Sequence, residues 1–246
     1  MKIRQLWLLS VCWLAVVFVS GCIVIDLNGC SSKKVKGSGN VVSETRQVAE
    51  FNKIHLKGIG KAFLTKGDQP SVEIKTDDNI MTVIKTEVTD GKLVVSHKNY
   101  NLRPTTLNYF ITVKDLNAVA VSGSADVTGN AKFVSDNFSA DISGSGNMRL
   151  ELEVGNLESD ISGSGSMRFS GKTDFLNASI TGAGDISALD LEAKKVSLKI
   201  TGSGDCEVNA SETLNVKITG SGDVKYKGSP QISQKITGSG KVRSRN

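Results

Sequence analysis

The stretch Ile218-Thr219-Gly220-Ser221-Gly222-Asp223 recurs along the chain, and a sequence built on such copies has few ways to fold. Its first glycine falls at Gly37, Gly58, Gly123, Gly144, Gly163, Gly182, Gly202, Gly220 and Gly238. From Gly123 onward the steps are 21, 19, 19, 20, 18 and 18 residues. A period that drifts by a residue or two is that of a solenoid, in which each repeat forms one turn and packs on its neighbours.

Two residues before and four after each marker glycine the side chain is apolar in every copy, from Val35/Val41 through Ile180/Ile186, Ile200/Cys206 and Ile218/Val224 to Ile236/Val242. These offsets share parity, so the alternation of an extended chain runs through the glycines and places them on the inward side. Ile218, Gly220, Gly222, Val224 and Tyr226 are expected inside, and Thr219, Ser221, Asp223 and Lys225 outside. An inward glycine leaves no side chain where the strand must bend and accepts whatever φ the corner demands. A second apolar alternation, such as Val196/Leu198/Ile200, precedes most corners, and polar returns such as Asn209-Ala210-Ser211-Glu212 close each repeat. Turns running the same way pair in parallel about 4.8 Å apart, so six steps build a rod of roughly 29 Å. The fold class is therefore all-β, a right-handed parallel β-helix with glycine corners, its hand taken from the general crossover preference.

Residues 1–21 have the order of a lipoprotein signal peptide: Lys2 and Arg4, an apolar run from Leu6 to Val19, then Val19-Ser20-Gly21-Cys22. The last four resemble a bacterial lipobox, in which the cysteine becomes the lipidated first residue. An uncleaved anchor from Leu6 to Ile25 and a second box at Leu27-Asn28-Gly29-Cys30 are the alternatives, and all three tether the chain to a membrane. Residues 22–50 read as the lipidated tether, with a degenerate first turn at Gly37. In residues 51–122 the period lapses for the 65 residues between Gly58 and Gly123, where about three larger turns fit. There Asp78 to Glu87 is expected to be a short helix with Ile80 and Ile84 facing in, and Asn99 to Thr106 an exposed loop. Residues 123–246 carry the regular repeats of 18–21 residues. With Cys12 in the leader and Cys22 lipidated, Cys30 and Cys206 remain; Cys206 reads as a small apolar filler at an inward position, and no Cys-x-x-Cys spacing exists.

Phe51-Asn52-Lys53-Ile54, Gly58-Ile59-Gly60, Val72-Glu73-Ile74, the run from Thr86 to Val95 and Val121-Ser122-Gly123-Ser124-Ala125-Asp126 together resemble the head GIN domain family. The resemblance spans about residues 50–230. It implies a β-helical fold, an outer-membrane lipoprotein of the bacterial cell envelope and an adhesin role, and it carries over no catalytic residue.

The net charge of +5 falls to +3 once Lys2 and Arg4 leave with the leader, too mild a balance for a nucleic-acid partner. Bases for catalysis are scarce, since His55 and His97 are the only histidines. A carbohydrate-active β-helix with its site near His55, His97 and Arg103 is the enzymatic alternative, but the tight corners and short returns after Gly123 leave no cleft-forming insertion. A dinucleotide fingerprint needs a third glycine five residues past the first, where Thr128, Arg149, Arg168, Ser187, Glu207 and Lys225 stand instead. The outward row Asp126, Asn147, Ser166, Asp185, Asp205, Asp223 and Lys241 is similar to the acidic rows of calcium-binding β-rolls. One acid per turn is too few for such a site, and Lys241 ends the row, so solvated surface is the favoured reading. The candidate ligand face comprises Thr181, Thr201, Thr219, Ser203 and Ser221 with Asp185, Asp205 and Asp223, a flat array suited to a sugar or another protein. The expectation is a lipid-anchored, non-catalytic adhesin or surface scaffold without cofactor or metal.

Overall fold

Eight marker glycines, from Gly58 to Gly238, stack in one file along the structure, a computed structural model that describes residues 33–97 and 100–245. The signal peptide, the tether's beginning, Cys22 and Cys30 lie outside the described residues. Strands make up 78% and helix 2%, wound into a β-solenoid of about six turns. Before the regular stack come β1 (Lys33–Lys36), β2 (Val41–Gln47), β3 (Lys53–Lys66), β4 (Ser71–Asp77), β5 (Ile84–Thr89), β6 (Lys92–His97), β7 (Tyr100–Arg103) and β8 (Leu107–Val113). A single helical turn, α1 (Asp78–Met81), joins β4 to β5. The stack is β9 (Ala118–Gly144), β10 (Asn147–Gly163), β11 (Ser166–Gly182), β12 (Asp185–Gly202), β13 (Cys206–Gly220), β14 (Val224–Lys227), β15 (Gln231–Gly238) and β16 (Val242–Ser244).

Pairing from β9 to β16 is parallel throughout, with Gly144, Gly163, Gly182, Gly202, Gly220 and Gly238 in direct register. The cause lies at the corner. Each marker glycine has φ between +123° and +134°, and a Cβ on any from Gly123 onward would overlap the carbonyl oxygen of the marker glycine one turn earlier. That carbonyl accepts the N–H of the residue after the next marker, Ser145, Ser164, Ala183, Ser203, Ser221 or Ser239, at 2.8–2.9 Å. The second glycine of each copy serves packing. A Cβ at Gly165, Gly184, Gly204, Gly222 or Gly240 would lie 2.6–3.0 Å from the Cγ2 methyl of an isoleucine in the previous turn. Removing both side chains lets the main chain close on itself and on the isoleucine row.

The apolar pairs flanking the markers are buried without exception from Leu56/Ala62 to Ile218/Val224, Cys206 among them. Each buried isoleucine contributes roughly 1.5–3 kcal/mol, repeated turn by turn. At the far end of the stack Ile236 and Val242 are half-buried, and Val35 and Val41, outside the file, are half-buried and exposed.

Several expectations need correction. The marker glycines from Gly58 to Gly220 are half-buried rather than fully inward, and from Gly146 onward the second glycines carry the inward position. The polar returns are themselves strand: β12 and β13 pair in three stretches, 186–188, 192–193 and 195–202 of β12, and Ala193 and Ala210 are buried in the return. In place of three larger turns, residues 67–117 supply one turn of stack, β6 and β8 pairing in parallel with β3, followed by antiparallel strands β8–β4–β2 and the hairpin β5–β6. Gly58 therefore stacks directly on Gly123 across the gap in the period. Gly37 is outside the file, held by an N–H bond to the Arg103 carbonyl, with β1 paired to β7 in a separate two-stranded sheet. The expected loop at 99–106 is thus partly strand, with Leu102 buried. The helix is one turn only. Ile80 and Ile84 do face in, but Ile84 and Glu87 belong to β5.

Candidate functional site

Outward side chains of the stretch ending at each marker glycine form columns, because register places equal offsets above one another. Seven residues before the marker run Asn137, Asn156, Phe175, Lys195, Thr213 and Gln231. Five before run Ser139, Glu158, Asn177, Ser197, Asn215 and Ser233, and three before run Asp141, Asp160, Ser179, Lys199, Lys217 and Lys235. The column beside the corner is Ser143, Ser162, Thr181, Thr201, Thr219 and Thr237. The eight residues named from sequence are brought together around this corner, all exposed except the half-buried Asp223.

The aspartate row does something the sequence did not reveal. Asp185 Oδ1 accepts the Asp205 N–H at 3.0 Å, Asp205 Oδ1 the Asp223 N–H at 2.8 Å, and Asp223 Oδ1 the Lys241 N–H at 2.9 Å. Each carboxylate closes a main-chain donor that the glycine corner leaves open. Earlier in the row Asn147 donates to Asp126 at 2.7 Å and Ser166 to Asn147 at 2.8 Å. Among the described residues no three His, Cys, Asp or Glu side chains converge as metal ligands would.

A groove runs along the opposite edge of the same face. Its first part, about 450 Å³, is lined by Lys53, His55, Lys92, Asn117, Asn137, Ser139, Asp141, Asn156 and Glu158. Its second, about 560 Å³, shares Asn156 and Glu158 and continues past Phe175, Asn177, Lys195, Ser197, Thr213 and Asn215. Phe175 is 48% exposed, with Lys195 Nζ 5.3 Å from its ring centroid. Sequence reasoning passed over this groove. An aromatic ring at an outward-parity position, in a chain with only 5% aromatics, was the available signal. A larger groove, about 940 Å³, lies on the return face, where Lys172 pairs with Glu192 at 3.4 Å and Lys194 with Asp174 at 2.6 Å.

His55 Nε2 lies 2.8 Å from Ser122 Oγ. Burial, then the Lys57 and Lys92 cations, push its pKa below the ordinary value, outweighing Asp141, so the ring is neutral at pH 7. Asp160 is shifted upward by burial and by Asp141, which stands beside it in register. The proposed catalytic grouping does not assemble. His97 sits over Gly58, where a Cβ would strike its ring, and Arg103 lines a different groove with Lys34, Lys36 and Gly37.

A glycine-cornered parallel solenoid with a polar, columnar face defines a class of β-solenoid domains. The family described as "Putative auto-transporter adhesin, head GIN domain" matches residues 50–230, and the chain belongs to it. Solved structures agree. The "putative adhesin" of Bacteroides fragilis NCTC 9343 is 29% identical with a TM-score of 0.81, over 85% of this chain and 99% of that one. A "putative adhesin" of Parabacteroides distasonis ATCC 8503 is 30% identical with a TM-score of 0.71, over 86% and 100%. A "putative lipid binding protein" of the same strain is 26% identical with a TM-score of 0.74, over 87% and 100%. No curated protein matches the chain. The adhesin-like family suggests a cell-surface protein. No helix among the described residues is long and apolar enough to cross a membrane.

Proposed function

We propose that the chain is a lipid-anchored outer-membrane protein that holds a β-helical rod out from the envelope as an adhesin or scaffold and has no catalytic role. The observation that carries this reading is the uninterrupted register of the columnar face from Ser143 to Thr237, which offers hydrogen-bonding groups at even spacing but no converging base, acid and nucleophile. The family's adhesin description supports it, and Val19-Ser20-Gly21-Cys22 supports the anchor, with lipid on Cys22. Binding of lipid within the domain is less favoured, because large side chains such as Phe133, Phe169 and Ile142 fill the solenoid's interior.

Expression of the full chain in a Gram-negative host fed an alkyne fatty acid tests the anchor. Label is expected on the wild type and absent from Cys22→Ala, and persistent label on that variant would remove the lipid from Cys22. The purified full chain, applied to a glycan array and incubated with polysaccharides, tests the rest. Binding without release of reducing ends is expected, whereas turnover lost in His55→Ala would establish an enzyme.

A further inference from the structure

Some cations of the stack meet acids one turn away, as in Lys132–Glu153 at 2.6 Å, Lys194–Asp174 at 2.6 Å and Lys225–Glu207 at 3.4 Å. Lys199, Lys217 and Lys235 do not. They occupy one column in direct register, all exposed, and none takes part in an ion pair among the described residues. Hydroxyl and amide side chains flank the column on both sides, so no acid stands beside it. Like charges in directly paired positions oppose the pairing, and an anion laid along the column would relieve that cost. Two columns away, and one turn before Lys199, the half-exposed Phe175 ring opens on the neighbouring groove.

We propose that this face binds a linear acidic polysaccharide lying along the rod, with anionic groups on Lys199, Lys217 and Lys235 and a sugar ring against Phe175. The inference rests on the adhesin reading and names the ligand class of its face. Parallel stacking fixes one cation about every 4.8 Å in a straight line, which matches a straight polymer carrying one anion per unit. A duplex nucleic-acid strand advances only about 3.4 Å along its axis per phosphate while winding round it, so its charges do not follow a straight row. An anionic membrane presents a plane, and has no use for a recessed groove lined with Asn156, Asn177 and Asn215. Those amides and the threonine column suit the hydroxyls of a glycan.

The test uses the full chain in detergent micelles against polygalacturonate, alginate and chondroitin sulfate, with methyl-esterified polygalacturonate as the uncharged control. Phosphatidylcholine vesicles with and without phosphatidylglycerol form the membrane arm. At least one acidic polymer is expected to bind, the ester not, and added salt should weaken the complex. The triple variant Lys199→Gln, Lys217→Gln, Lys235→Gln should lose about tenfold in affinity, the combined worth of three exposed ion pairs. Phe175→Ala should also weaken binding, and Lys194→Gln on the return face should not. All five positions are exposed, and an unchanged circular dichroism spectrum checks that each variant folds. Equal binding of the ester, an unaffected triple variant, no binding to any acidic polymer, or preference for phosphatidylglycerol vesicles would each overturn the proposal. Binding of the ester or of neutral glycans would leave the adhesin reading standing while this ligand class fell. A chain that binds no glycan, protein or host cell would end both.

Discussion

The regular stack and the N-terminal cap solve the same problem, satisfying main-chain hydrogen bonds at a bend, by opposite means. In the stack the backbone does it, with glycine carbonyls accepting N–H groups one turn on because no Cβ intervenes. In the cap, side chains do it. Asp77 accepts the Gly39 and Thr105 N–H groups at 2.8 and 2.7 Å, and Asp78 accepts Ser38 Oγ at 2.5 Å and Asn40 Nδ2 at 2.9 Å. Asn79 Oδ1 takes the Ser38 N–H at 3.0 Å while its amide nitrogen donates to the Lys36 carbonyl at 2.8 Å. The difference teaches that repetition needs only a residue type that gets out of the way, whereas ending a stack needs particular groups in particular places. At the other end of the described residues, β15 is exposed along almost its whole length.

The sharpest way to break this contrast is to put a methyl group on a glycine in each region. Gly202→Ala would drive its Cβ into the Gly182 carbonyl at φ +127°, with backbone on both sides of the conflict, and should cost at least about 4 kcal/mol. Gly39 also has a positive φ, +88°, but a Cβ there meets nothing within 4 Å, so Gly39→Ala should cost only about 1–2 kcal/mol. Urea denaturation followed by circular dichroism measures both, and equal costs would mean the glycine file is incidental. Next in size, Ile200→Ala opens a cavity in the central row and should cost about 3 kcal/mol. Val41→Ala, at a residue 38% exposed in the cap, should stay within about 0.5 kcal/mol.

Acid separates the regions by sign. Burial works to raise the Asp77 carboxyl, but the N–H bonds from Thr105 and Gly39 outweigh it and leave it below its ordinary value of 3.8. A depressed folded value means stability that is present above 3.8 and is lost as pH falls through the folded value, so the cap should loosen in acid. Asp160 in the stack is raised by burial and by Asp141, so its contribution is present below its ordinary value and lost as pH rises through the folded one. Hydrogen exchange, corrected for intrinsic rates, should show protection at Gly39 and Thr105 falling below about pH 4 while the turn carrying Asp160 holds. Loss of protection in both together would deny the contrast. At neutral pH, Asp160→Asn should stabilise slightly.

The stack was legible because its rule is local: parity and a fixed offset from a glycine are enough to place Ile218 inside and Thr219 outside. Residues 67–117 were not, because they mix parallel pairing to β3 with antiparallel pairing of strands distant in sequence. Nothing in Ser71–Asp77 announces that it lies between β2 and β8. The polar returns were misjudged for a related reason. Ala193 and Ala210 are too small to show an apolar alternation, yet a narrow turn needs small residues there. Of the site, the corner columns followed from register alone, while the groove past Phe175 depends on the depth between neighbouring side chains, a property of three dimensions.

The smallest expected effect concerns the row in which the stack borrows the cap's device. Asp205 Oδ1 accepts the Asp223 N–H, so Asp205→Asn keeps an acceptor and should be nearly silent, whereas Asp205→Ala removes it at an exposed corner that water can reach and should cost about 0.5–1 kcal/mol. With one oxygen of each carboxylate already committed and a single acid per turn, calcium would find too few free ligands. Melting temperature should therefore move by less than about 1 °C between millimolar calcium and chelator, since a ligand present well below its dissociation constant adds almost nothing to stability. A rise of several degrees with calcium that Asp205→Asn abolishes would show instead that the second oxygens form a cation row, and the aspartates would then belong to the ligand face rather than to the main chain.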